Sequence, residues 1–223
     1  MDRKNGVTDC EREFYQDSLP LLTGTIAEFL SCIEAIRAYR KETEGRDPVC
    51  ACSARIKSAA SMREKLLKRG LPPDREHALS AVSDAAGVRL ICPLTEDVYR
   101  MAALIREIPG VSVAREKDYI AHPKPNGYRS YHMVLHFPLR FLGAAGADNR
   151  LWLEVQLRTI AMDCWASIEH ELKYKKEIAN PELMRRELKR CSDEIASADL
   201  SLSTLKELIE EKENCFETSD CRR

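Results

Sequence analysis

The eight residues LWLEVQLR, Leu151–Arg158, decide how the rest of the chain reads. In an extended backbone Leu151, Leu153, Val155 and Leu157 point one way, while Trp152, Glu154, Gln156 and Arg158 share the opposite face. The pattern predicts a strand with one face on a core and one polar face. Upstream, Tyr131–Phe137 alternates in the same manner, with Tyr131, Met133, Leu135 and Phe137 on one side and His132, Val134 and His136 on the other. The GAAGADN stretch between the two suits an antiparallel hairpin connection. Downstream, the period changes to helical from Ile160 onward, with a break near Asn180-Pro181.

Further out, GVRLIC (Gly87–Cys92) reads as a short apolar strand, and another strand is expected around Tyr119-Ile120. Leu22, Ile26, Phe29, Ile33 and Ile36 recur at threes and fours, which predicts an amphipathic helix from Leu19 to about Lys41. Glu42–Cys52, with Gly45 and Pro48, reads as a linker. A helix is expected over Ala54–Arg69, closed by Gly70 and Pro72-Pro73. Another is expected over Val98–Glu107, ending before Pro109-Gly110. Helices, then strands, then helices make a single α+β domain over residues 1–223, with a core at 54–176 and helical extensions at 19–41 and 181–213.

The chain has 223 residues, 44% hydrophobic and 32% charged, with a net charge of −1. That balance argues against a general nucleic-acid coat, which needs excess positive charge, so any basic site must be local. No apolar run is expected to approach the roughly 18 residues of a membrane span. The N-terminus lacks a signal peptide's apolar stretch. The nine cysteines are scattered, with no pair of C-x-x-C spacings, and read as reduced thiols in cytoplasm. There is no G-x-x-x-x-G-K-[ST] loop, which excludes a P-loop enzyme.

Five groups carry chemical potential. On the expected Ala54–Arg69 helix, Lys57, Ser61, Lys65 and Lys68 fall on one face and suit a polyphosphate, or else a solvated surface. Asp84, just before the strand carrying Arg89, suits a Mg²⁺ ligand or a turn cap. The stretch KDYIAHPKPNGYRSYH, Lys117–His132, gathers cations, rings and a forced turn. Its Tyr128 suits stacking on a base, and Lys117, Lys124, Arg129 and His132 suit phosphates. The polar strand face offers Glu154 as a general base. After it, Asp163, Ser167, His170 and Tyr174 share one helix face, and Trp165, Ile168 and Leu172 an apolar one. The set fits phosphoryl or pyrophosphoryl transfer between two nucleotides.

Four stretches, RIKSAASMREKL, SDAAGVRLIC, EKDYIAHPKPNGYRSYH and EVQLRTIAMDCWASIEHELKYK, resemble the synthetase domain of the RelA/SpoT family, in particular its small alarmone synthetases. The resemblance implies a nucleotidyltransferase-like fold, a mixed sheet flanked by helices. It implies transfer of pyrophosphate from ATP to the 3′-hydroxyl of GDP or GTP. It assigns Arg55 and Arg89 to the adenine, and Lys57, Ser61 and Lys65 to the ATP phosphates. Asp84 and Glu154 would hold Mg²⁺, with Glu154 also the base. Tyr128 would stack on guanine, Asp163 would read its edge, and Gln156 would help position the acceptor. Lys117, Lys124, Arg129 and His132 would grip the acceptor's phosphates. Arg115-Glu116-Lys117-Asp118 resembles the R-x-K-D variant of the long bifunctional members. A homotetramer joined through terminal helices is also implied, with Leu183, Leu188, Ile195, Leu202, Leu205 and Ile209 as its apolar residues. Two other readings stay open: a pyrophosphokinase acting on the 3′ end of tRNA, with a basic patch at Lys173, Lys175, Lys176, Arg185 and Arg186, and a non-catalytic nucleotide or RNA-binding regulator.

Overall fold

The computed structural model describes residues 8–140, 150–174 and 180–220. The elements run α1 (Asp9–Tyr15), α2 (Ser18–Glu44), β1 (Ala51–Ile56), α3 (Ala59–Lys68), α4 (Arg75–Ser80), β2 (Ala86–Cys92), α5 (Thr95–Arg106), β3 (Ser112–Asp118), β4 (Tyr131–Pro138), β5 (Arg150–Thr159), α6 (Ile160–Tyr174) and α7 (Pro181–Asp220). One five-stranded sheet has the order β1-β2-β5-β4-β3. Only the central β2–β5 pair is parallel; β1–β2, β4–β5 and β3–β4 are antiparallel. The expected α+β class with a mixed sheet and helical flanks is what the chain adopts.

The alternation of β4 and β5 divides the sheet as expected. Val88, Leu90, Leu153, Val155, Leu157, Met133, Leu135 and Phe137 are buried on one face. Helices α2 and α5 cover that face with Phe29, Ile33, Met101 and Ile105. The Phe29 and Phe137 rings meet edge to face at 5.8 Å, a favoured aromatic geometry. Helix α2 is the one described helix long and apolar enough, by composition, to cross a membrane. Leu22, Phe29 and Ile33 place its apolar side in the core. It ends at Gly45 in the left-handed region (φ 68°), a conformation glycine adopts without steric cost.

Two expectations are corrected. Ala51–Ile56 is an edge strand rather than linker and helix, and α3 starts only at Ala59. Ser58 breaks the two apart: its Oγ caps α3 by accepting from the Ser61 N–H at 3.3 Å. Alanine and arginine favour helix, but β1 pairs with β2 along its whole length, and packing overrides propensity. Arg55 therefore sits on a strand and Lys57 in a connector. The strand expected at Tyr119-Ile120 lies earlier. Asp118 Oδ1 accepts from the N–H groups of Ile120 and Ala121 at 2.8 and 2.9 Å, an Asx turn that ends β3. Helices α1 and α4 add short elements the periodicity does not signal. The GAAGADN loop and Lys175-Lys176 lie outside the described residues, although β4 and β5 do pair antiparallel.

Candidate active site

The sheet's second face, left open by α2 and α5, carries the candidate residues in cross-strand rows. Ser53, Arg89, Gln156, His132 and Lys117 are successive register partners across all five strands. The adjacent row is Arg55, Gly87, Glu154, Val134 and Arg115. Residues opposite one another in a ladder point to the same side, so residues far apart in sequence form one polar floor. A cleft of about 220 Å³ opens there, lined by Ser53, Arg55, Gly87, Arg89, Glu154 and Gln156. Gly87 has no side chain to fill the space between Arg55 and Glu154.

At one edge, Asp84 lies in the turn three residues before Gly87. Its Oδ2 accepts from Lys65 Nζ at 2.6 Å and from Lys57 Nζ at 3.3 Å. Its Oδ1 is buried and has no hydrogen-bond partner among the described residues. Burial pushes this carboxyl up, but the Lys65 hydrogen bond and the two ammonium charges outweigh it and hold the group below the ordinary range. Ser61 sits in the first turn of α3, accepting a hydrogen bond from Ser58 Oγ at 2.9 Å. Lys68 is exposed and pairs with Glu64, apart from Asp84, so the single lysine face is corrected to a pair at Asp84 plus one outlying charge.

At the other edge, the Tyr128 hydroxyl meets His132 Nε2 at 2.8 Å and accepts from Arg158 at 2.8 Å. Lys124 lies over both the Tyr119 and Tyr128 rings, at 4.7 and 4.8 Å. His132 is pushed down to about 3, first by burial and then by the charges of Arg158, Lys124, Lys117 and Arg89. With the site free of nucleotide it is neutral at physiological pH, a hydrogen-bonding ring among fixed cations. Arg129 does not join the open cations: it donates to the Ile120 carbonyl at 3.1 Å and pairs with Asp193 of α7 at 3.4 Å.

The two edges meet at the centre. Arg158 and Arg89 both reach Asp163 Oδ1, at 2.9 and 3.2 Å. Gln156 donates to Glu154 Oε2 at 3.1 Å, and His132 Nδ1 lies 3.9 Å from Glu154 Oε1. Glu154 thus lines the Arg55–Arg89 cleft while bordering the Tyr128–His132 group.

Sequence reasoning places Arg158 on this face but gives it no role. It is the hub, with its side chain 6% exposed and bonds to Asp163, Tyr128 and Gln156. Tyr119, read as mid-strand, packs on Tyr128 and His132 at 5.9 and 5.2 Å between centroids. Ile168, read as apolar packing, is exposed.

Residues 54–179 match the family described as a region found in RelA / SpoT proteins. The chain belongs to the RelA/SpoT family. Every candidate residue from Arg55 to Asp163 falls within the matched RelA/SpoT region, and α7 begins just beyond it. Among curated RelA/SpoT relatives, GTP pyrophosphokinase YjbM of Bacillus subtilis is 30% identical over 184 residues, covering 82% of this chain and 84% of that protein. GTP pyrophosphokinase YwaC of the same organism is 34% identical over 149 residues, covering 67% and 70%. The crystal structure of small alarmone synthetase 1 from Bacillus subtilis, bound to its product pppGpp, superposes with a TM-score of 0.74 at 29% identity, covering 84% of this chain and 94% of that one.

Proposed function

We propose that the protein transfers pyrophosphate from ATP to the 3′-hydroxyl of GDP or GTP, giving ppGpp or pppGpp and AMP. One observation carries this reading: Glu154 forms the shared wall between the Arg55–Arg89 cleft and the Tyr128–His132 group. A residue so placed faces two nucleotides at once. The names of the relatives support the same activity.

Arg55 and Arg89 flank the adenine, and Lys57, Ser61 and Lys65 take the ATP phosphates. Tyr128 stacks on guanine, while Asp163 Oδ2, which accepts no bond from the described residues, takes its N–H edge. Lys117 and Lys124 meet the acceptor's phosphates, with His132 as a hydrogen-bonding partner, and Gln156 holds Glu154. Arg129 braces the loop. The 3′-oxygen attacks the β-phosphorus of ATP, the bond from that phosphorus to the α-phosphate bridging oxygen breaks, and AMP leaves. Glu154 takes the hydroxyl proton. Positioning and charge stabilisation supply most of the acceleration.

Asp84 fits a magnesium ion, and Glu154 would be its second carboxylate. Asp84 Oδ1 is a buried carboxylate oxygen with no donor among the described residues. That suits a hard cation that takes one or two carboxylates and completes its shell with phosphate and water. When bound, Mg²⁺ supplies charge neutralisation on the polyphosphate. We place the protein in the cytoplasm, as one domain. The exposed Leu202, Leu205 and Ile209 of α7 support a homotetramer.

The test is incubation with γ-labelled ATP, Mg²⁺ and GDP, GTP or deacylated tRNA. Label on a guanine nucleotide, with AMP released, is the expected result. Label on tRNA, or on nothing, overturns the reading.

A further inference from the structure

Helix α7 lies outside the matched family region, yet it is fastened to the loop that carries Tyr128. Ser192 Oγ donates to the Gly127 carbonyl. Trp165 Nε1 donates to the Leu188 carbonyl at 2.8 Å, and Thr159 Oγ1 donates to Asp199 Oδ2 at 2.6 Å. Leu188, Ser192, Ile195, Ala196 and Asp199 are spaced four, three, one and three apart and form one stripe on the helix. Ser192 and Asp199 are only 3% and 4% exposed.

The composition of this stripe separates positioning from bulk packing. A helix docked for apolar burial presents a row of leucines; here the middle of the contact is Ser192, Ile195 and Ala196, one large side chain between two small ones, and the leucines at 200, 202, 205 and 208 face outward. Small residues let two backbones approach closely. At Gly127 the approach is as close as it can be: a Cβ there would sit 2.6 Å from Ser192 Cβ and 3.3 Å from Lys189 Cα. Gly127 also has φ +92°, a region other residues rarely enter. From the other side, Asn126 Nδ2 donates to Glu169 of α6 at 2.9 Å, while Asn126 Oδ1 accepts from the Tyr128 N–H at 3.2 Å. The peptide before Tyr128 is therefore gripped by α6 and α7. Asp199 anchors the same helix to Thr159, one residue after Arg158, the guanidinium bonded to the Tyr128 hydroxyl.

We propose that Ser192 and Asp199 are positioning residues for the acceptor nucleotide, holding the Gly127–Tyr128 peptide and the end of β5 in register from behind the site. The proposal rests on the reading of Tyr128 as the guanine-stacking ring. The described hydrogen bonds from α7 to the site reach Gly127, Trp165 and Thr159, all on the acceptor side, so loosening α7 acts first on the guanine nucleotide.

The experiment compares Ser192→Leu, Asp199→Leu and the conservative Asp199→Asn with wild type. Steady-state kinetics for each nucleotide are joined to calorimetric binding of GDP and hydrogen exchange over residues 119–130. Ser192→Leu and Asp199→Leu should each raise the KM and Kd for the guanine nucleotide by about tenfold, the equivalent of one displaced or lost contact. The KM for ATP should stay within about twofold, and exchange in the loop should quicken. Asp199→Asn, whose amide oxygen still accepts from Thr159, should behave as wild type. Parallel loss for both nucleotides with a lowered Tm would mark a merely structural helix and overturn the proposal, as would unchanged GDP binding beside a loosened loop. A wild-type protein that binds GDP but transfers nothing would sink the assigned activity alone, and the GDP calorimetry would still decide the role of α7.

Discussion

The two halves of the site are built by different means. The donor half is local: Lys57, Lys65 and Asp84 fall within 28 residues and form a compact charge cluster whose geometry is set by mutual attraction. The acceptor half draws on β4, β5, α6, α7 and the 119–130 loop, and its centre is a chain of hydrogen bonds through a neutral histidine, a tyrosine and a buried arginine. A polyphosphate is recognised by charge, which tolerates small displacements because Coulomb attraction falls slowly with distance. A base is recognised by a ring face and directional hydrogen bonds, which do not. The half that needs directional accuracy is the half with the longer-range scaffold.

The comparison breaks most sharply at Glu154, where the halves join. Glu154→Gln should lower transfer by about 10²–10⁴-fold, the usual worth of a general base, while calorimetry still finds ATP binding within a few-fold of wild type. Full activity would remove Glu154 from the chemistry. Tyr128→Ala comes next: losing a stack worth about 1–3 kcal/mol should raise the KM for the guanine nucleotide roughly 5- to 150-fold and leave that for ATP nearly unchanged. Equal rises for both would erase the division. Lys65→Met should do the reverse, raising the KM for ATP by roughly tenfold as one charge-assisted bond is lost. The smallest effect concerns pH. The ring of His132 should show no titration by NMR between about pH 5 and 8, because its value lies near 3 in the fold. Since that is below the ordinary 6.5, its contribution to stability is complete above the ordinary value and is lost as pH falls from 6.5 toward 3. A ring that titrates near neutrality would put a cation, rather than a neutral partner, beside the acceptor.

The strand pair β4–β5 and its polar face were legible because one-sided burial imposes a period of two on sequence. Glu154, Gln156 and His132 follow from that period. β1 was not legible: an edge strand is specified by its partner, and Ala51–Ile56 carries good helix formers. The turn that ends β3 was written in Asp118, but as side-chain chemistry rather than periodicity. Arg158 stood on the correct face, yet its importance comes from three partners at Tyr128, Gln156 and Asp163, which no spacing reveals. For α7, the apolar positions were read as residues of an assembly contact, and Leu202, Leu205 and Ile209 do lie on the outside. The inward contact through Ser192 and Asp199 was not legible, because it rests on close backbone approach at Gly127 and on buried hydrogen bonds rather than on apolar spacing.

By itself the sequence determined the sheet's two faces, the inventory of cations, carboxylates and rings, and the family, because alternation and side-chain chemistry are properties of neighbouring residues. Tertiary structure alone decided that Asp84 shares two lysines, that His132 is uncharged, that Arg158 is the hub and that α7 stands behind Gly127. Those facts depend on burial and on distances between residues tens of positions apart, and neither is written locally in the chain.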